Sequence, residues 1–136
     1  MLSSSDKTSV DKNNNLLEYV LLNARSVKNK LPELHLLIYD LNCPSIVCIC
    51  KSWLNYSITN SMLDPLNRFT IFRLDRPQNR EGGGVCVFVD RDIGALLVEI
   101  SGSDFVDLEV VAVDIVGKDK FRLITMYREG YKCRRI

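Results

Sequence analysis

Three short apolar runs, LLEYVLLN at 16–23, SIVCIC at 45–50 and VCVFV at 85–89, set the terms on which this chain can fold. None approaches the ~20 consecutive apolar residues of a membrane-spanning helix. Each has the length of a strand, and runs this continuous belong to central strands covered on both faces. Between the first two lies 26–41, where Leu31, Leu34, Ile38 and Leu41 recur at helical spacing and form one apolar stripe. Pro32 suits the first turn of that helix, and Asn42 and Pro44 end it. The order is β-α-β. After it, 69–74 reads as a short strand before a turn at Pro77, and 95–100 as a weaker strand. The segments 106–116 and 120–127 read as an antiparallel hairpin joined through Gly117, Lys118 and Asp119. The pattern predicts an α/β or α+β layered domain built on a mixed, mainly antiparallel sheet.

The first fifteen residues, MLSSSDKTSVDKNNN, are polar and read as a disordered N-terminal tail. They hold neither the apolar core of a secretory signal nor the arginines of a transit peptide. Five cysteines occur, Cys43, Cys48, Cys50, Cys86 and Cys133, with no CxxC spacing. Most lie in or beside apolar runs and read as buried, reduced thiols. Reduced thiols place the chain inside the cell, in cytoplasm or nucleus, and not among secreted proteins. The chain has 136 residues, one domain's worth, and a net charge of +1. Its overall charge makes no case for nucleic acid, so a binder of that kind would need a local basic face. The single histidine, His35, sits mid-helix beside the apolar stripe and reads as a structural residue rather than a base.

Several short motifs then fall in one order. Asn23-Ala24-Arg25-Ser26 closes the first run and opens the helix. The second run leads into Lys51-Ser52-Trp53-Leu54. FTIFRLDR occupies 69–76, Gly82-Gly83-Gly84-Val85 opens the third run, and Met126-Tyr127-Arg128 ends the last strand. Over 16–128 this order resembles the endonuclease domain of jockey-like non-LTR retrotransposons. That domain belongs to the endonuclease/exonuclease/phosphatase superfamily, alongside DNase I and the apurinic/apyrimidinic endonucleases. The resemblance implies the N-terminal part of a four-layer α-β-β-α sandwich, with DNA as partner, no membrane association, and Mg²⁺-dependent hydrolysis of a phosphodiester. That chemistry needs oxygen ligands for the cation, a base to activate water, and donors for the charge that develops at phosphorus.

By the resemblance, Asn23 matches an asparagine that helps hold the metal site, and Tyr127 a tyrosine that approaches the scissile phosphate. On its own Asn23 also reads as a capping or turn residue, and Tyr127 as a half-buried strand tyrosine. Position 51 matches the family's metal-binding glutamate and is lysine here. A lysine offers donors and a positive charge where Mg²⁺ wants hard anionic oxygen. Lys51 can take the cation's place and contact a phosphate directly; decay of an unselected copy would leave the same residue. Arg25, Arg73, Arg76, Arg80 and Arg128 are the DNA-contact candidates, although 73–80 also reads as a solvated charged turn. Trp53 is expected to pack beneath the site as a large anchor. Glu109 resembles a recurrent acid of the family and receives no role.

After Arg128 the resemblance ends. The segment 129–136, EGYKCRRI, reads as an unrelated basic tail. The family's second half carries an aspartate-asparagine pair, another aspartate and the catalytic histidine. On this reading the chain is a truncated, catalytically inactive remnant of a nicking endonuclease, with Asn23 and Tyr127 vestigial. The alternatives are a nuclease completed by a partner chain, and a nucleic-acid or protein binding module derived from the fold. One face of VCVFV and of VVAVDIV would then lack a cover, which offers a route to self-association.

Overall fold

A computed structural model describes residues 5–12, 15–75, 83–100, 108–117 and 120–128. The turn expected at Pro77, the DNA-contact candidates Arg76 and Arg80, and the tail 129–136 lie outside the described residues. The elements run β1 (Ser5–Lys12), β2 (Asn15–Asn23), a 3-10 turn (Lys28–Lys30), α1 (Leu31–Asp40), β3 (Ile46–Cys50), α2 (Asn60–Leu63), β4 (Phe69–Leu74), β5 (Val85–Asp90), β6 (Gly94–Val98), β7 (Leu108–Val116) and β8 (Lys120–Arg128). They form a five-stranded sheet in the order β1-β2-β3-β5-β4 and a three-stranded sheet in the order β6-β7-β8. The first sheet is mixed: β2 and β3 are parallel across the helical crossover, and every other pairing is antiparallel. The second sheet is an antiparallel meander. The expected α+β fold with a mainly antiparallel mixed sheet is the one observed.

The period-2 geometry of a strand explains why the central runs are apolar without a break. In β3, Val47 and Ile49 face α1 while Ile46 and Cys48 face the second sheet. In β5, Cys86 and Phe88 face the helix while Val85, Val87 and Val89 face the second sheet. Helix α1 covers the first face with Leu34 and Ile38, and Pro32 lies in its first turn as expected. Val111, Val113 and Ile115 of β7 cover the other face. The expectation of an uncovered face is therefore corrected for VCVFV, whose two faces are buried by α1 and by β7. For VVAVDIV one face closes on VCVFV, and the other belongs to the outer side of the second sheet, where apolar surface is left open. Leu96, Ile124 and Met126 are exposed there, and no helix covers them among the described residues.

Two further expectations need correction. Strand β2 is buried on one face only: Val20 and Leu22 pack under α1, but Leu21 on the far face is exposed. The second sheet packs over β3, β4 and β5, and on β2 only Tyr19 reaches the core between the two sheets. Residues 5–12, taken from their polarity for a disordered tail, form β1, which pairs with β2 from Ser5↔Leu22 to Lys12↔Asn15. A ladder is made by main-chain groups, so an edge strand can be specified with little apolar content. Among the described residues, no helix is long and apolar enough to cross a membrane.

The core thiols are protonated by their surroundings. Burial pushes the Cys86 thiol far above the ordinary value of 9.0. Burial also raises Cys48, against a smaller opposing hydrogen bond with Thr125, and raises Cys50. A raised folded-state pKa stabilises the native chain fully below the unfolded value, and that stability fades as pH climbs past it. Unfolding free energy should therefore fall above pH 9.0, at about 1.4 kcal/mol per pH unit for each such thiol. Urea midpoints measured on either side of that pH should show the alkaline decline, and Cys86→Ala should flatten it. An unchanged slope in the variant would assign the decline to other groups.

Candidate functional site

The parallel strands β2 and β3 end side by side, with Asn23 opposite Cys50. Their main chains stay bonded beyond the strands. Ala24 N donates to Cys50 O at 3.0 Å, Ser26 N to Lys51 O at 3.0 Å, and Val27 N to Ser52 O at 2.8 Å. The 51–54 segment is bonded in turn to the glycine loop, with Ser52 N on Gly84 O at 3.2 Å and Trp53 N on Gly83 O at 2.8 Å. Three loops thus converge at one end of the first sheet. The carboxyl ends of parallel strands are the usual place for a ligand site in open α/β sheets.

This convergence forces the backbone into sparsely populated conformations. Arg25, Ser26, Lys51 and Trp53 all have positive φ, at 47, 82, 54 and 54°. For side chains of this size such a backbone costs on the order of 1–2 kcal/mol each. Lys30 Nζ holds the first loop by donating to Ala24 O at 2.7 Å and Arg25 O at 3.0 Å. Asn29 Nδ2 donates to Ser26 Oγ at 3.2 Å. Backbone strain concentrated where three loops meet is characteristic of a functional site.

The second sheet completes the cluster. Tyr127 pairs with Glu109 across β7 and β8, so the two side chains share a face. Lys51 Nζ stands over the Tyr127 ring, 5.4 Å from its centroid. That is within cation–π range. Cys50 Sγ donates to Met126 O at 3.7 Å. Glu109 Oε2 accepts from Gly84 N at 2.5 Å, which ties β7 to the glycine loop. Asn23, Lys51 and Tyr127, far apart in sequence, therefore lie in one neighbourhood. Glu109 and Cys50 belong with them. Nothing in the alternation of β7 marked Glu109, since an acid in a half-buried strand reads as solvent-facing.

The remaining expectations divide. Arg25 and Arg128 are exposed near this end of the fold. Arg73 is not a free cation. Its guanidinium is bidentate on Asp75, with Nε–Oδ1 at 3.0 Å and Nη2–Oδ2 at 2.6 Å. It also donates to Ile58 O at 2.7 Å, Asn55 O at 2.9 Å and Asn60 Oδ1 at 3.1 Å. Arg73 is thus a staple between β4 and the 55–60 segment, and its role as a DNA contact is withdrawn. Trp53 is no anchor: its side chain is 45 % exposed, and the buried places belong to Ser52 and Leu54. His35 is structural as expected, donating from Nε2 to Leu63 O at 3.0 Å.

The donor set does not fit a divalent cation. Lys51 brings an ammonium to the cluster, and Glu109 already spends one oxygen on Gly84 N. No group of three or more histidine, cysteine or acidic residues capable of holding a metal exists among the described residues. The cluster offers a cation and an aromatic face instead.

Gly84 is the tightest joint. Its φ is 88°, and a Cβ there would stand 2.5 Å from Ser52 Oγ. Ser52 Oγ is itself buried and has no hydrogen-bond partner among the described residues. Gly84→Ala should cost about 2 kcal/mol or more from the contact and the left-handed backbone. Ser52→Ala should be close to neutral, because it removes a buried hydroxyl that bonds nothing. The double variant should recover the contact part and keep the backbone part. Strict additivity in a urea double-mutant cycle would refute that coupling. No family model matches the chain, and no curated protein matches it either, so its function has to be argued from these residues.

Proposed function

We propose that this chain is a catalytically inactive derivative of a DNA-nicking endonuclease fold that binds nucleic-acid phosphate without hydrolysing it. The observation that carries this reading is Lys51. It stands over Tyr127 at 5.4 Å, beside Cys50, which abuts Asn23 in the β2–β3 ladder. The family likeness would put an anionic metal ligand at that position. A lysine there places a fixed positive charge where the metal would otherwise meet the phosphate. Phosphate recognition by lysine needs no metal and no proton transfer.

The reaction lacks its other parts within these residues. The single histidine, His35, is bonded through Nε2 to Leu63 O and has no contact with this cluster among the described residues. Losing a transition-state donor alone typically removes ~10²–10³ in rate. Losing the metal and the base as well leaves binding as the function this site can perform. Arg25 on the neighbouring loop would extend the contact along a phosphate backbone.

Supercoiled plasmid incubated with Mg²⁺ should remain intact. Nicking that vanishes in Tyr127→Phe and Asn23→Ala would overturn the reading. Binding to a nucleic acid should weaken with salt, with a log–log slope near −0.9 per phosphate contacted on duplex and about −0.7 on single strands. Lys51→Ala should lower that slope by about one contact. Salt-independent binding, or a slope unmoved by Lys51→Ala, would remove Lys51 from the contact.

A further inference from the structure

The rim of the Lys51 cluster carries a residue that neither the core nor the phosphate contact uses. Trp53 exposes 45 % of its surface, although burying an aromatic of this size is among the largest stabilising contributions available to a fold. Its backbone is left-handed, φ 54°, in a residue that gains nothing locally from that conformation. The hydrogen bond from Trp53 N to Gly83 O at 2.8 Å holds it there. Along 51–54 the side chains divide. Lys51 is half-buried over Tyr127, Ser52 and Leu54 are buried, and Trp53 is turned out to solvent. A right-handed or extended residue at this position would change which way the indole points. The fold thus maintains two unfavourable features in one residue, and both present an aromatic face beside a cationic one.

We propose that Trp53 is a stacking platform for an unpaired nucleobase, which makes single-stranded nucleic acid the partner of the Lys51 site. This rests on the phosphate-binding reading above. Lys51 and Arg25 supply charge for the backbone. Main-chain bonds from Ser26 N to Lys51 O and Val27 N to Ser52 O lock the arginine's loop to the tryptophan's. Positive charge for the phosphates together with an exposed aromatic ring for a base is the recognition chemistry of single strands. A base inside a duplex has both faces covered by its neighbours and cannot offer one to the indole. A base in a single strand can. Stacking of this kind does not depend on base identity, so sequence preference should be weak.

Trp53 is the single tryptophan of the chain, so its fluorescence reports this position alone. The test titrates the full chain with an oligo-dT strand, with an abasic strand of equal length, and with a duplex, excited beyond tyrosine absorption. Quenching is expected with oligo-dT and not with the abasic strand or the duplex. Trp53→Ala, read by fluorescence anisotropy of a labelled strand, should weaken oligo-dT binding roughly 5- to 150-fold. It should leave abasic-strand binding unchanged, and Trp53→Phe should keep most of the affinity. Because the side chain is half outside the fold, circular dichroism of Trp53→Ala should match that of the parent. Equal oligo-dT affinity in Trp53→Ala, or equal quenching by the abasic strand, would overturn stacking. Lys51→Ala separates the two ideas. It should weaken oligo-dT and abasic binding alike. If it changes neither while Trp53→Ala weakens oligo-dT, the phosphate reading fails and stacking stands. If no strand binds, both fail.

Discussion

The main-chain bonding that continues past the ends of β2 and β3 is the constraint on which the site depends. A parallel pair normally loses its ladder where the strands diverge. Here Ala24, Ser26 and Val27 go on donating to Cys50, Lys51 and Ser52, and Ser52 and Trp53 donate to Gly84 and Gly83. Five such bonds hold three loops at fixed spacing. At about 1 kcal/mol net each, their sum is of the same order as the strain of the four left-handed residues they maintain. The strain is therefore affordable only as a set. Which way Lys51 and Trp53 point is decided by this backbone and not by the preference of either side chain.

The cluster is also an inter-sheet structure. Lys51 belongs to the first sheet's loops, while Tyr127 and Glu109 belong to the second sheet. Their approach is set by the packing of Val85, Val87 and Val89 against Val111, Val113 and Ile115. These six side chains are almost wholly buried, and each contributes about 1.5–3 kcal/mol on burial. The bond from Glu109 Oε2 to Gly84 N is the polar fastening at the end of that apolar seam. Loosening the seam would separate the cation from its aromatic face before any site residue changed.

Elements whose signal is local were legible in the sequence. The stripe Leu31, Leu34, Ile38 and Leu41, with Pro32 in the first turn, marked α1, and Asn42 ends it in the left-handed conformation that asparagine tolerates. The three apolar runs became β2, β3 and β5, and in β3 and β5 two-faced burial accounts for the continuous pattern. What composition could not show was anything fixed by backbone pairing or dihedral angle. β1 is polar and is specified by its ladder. Trp53 looked like core, because hydropathy carries no information about φ. Arg73 looked available, because its partners at 55, 58 and 60 meet it only in the folded chain. Glu109 was passed over because its partner is a backbone amide on another sheet. Asn23, Lys51 and Tyr127 were picked out through a family likeness, and their proximity is a property of the fold rather than of any spacing.

The proposed exchange of hydrolysis for binding turns on one charge. An ammonium 4 Å from a divalent ion repels it by about 8 kcal/mol at the effective dielectric of a partly exposed protein site. A carboxylate at the same distance and dielectric would attract the ion by the same amount, about 8 kcal/mol, so the exchange of one side chain reverses the sign of the whole term. A glutamate at 51 and a lysine at 51 are therefore not graded versions of one site; they select opposite ligands. With lysine, attraction to a phosphate oxygen at the same distance and dielectric is about 4 kcal/mol before desolvation. Lys51 sits above the Tyr127 ring, whose negative face shares the ammonium's charge and limits the cost of its partial burial. Trp53 follows two residues later in the same main-chain-bonded segment, so a point charge and an exposed aromatic side chain stand two residues apart in sequence. A nucleotide offers that same pair, charge and ring, in one unit.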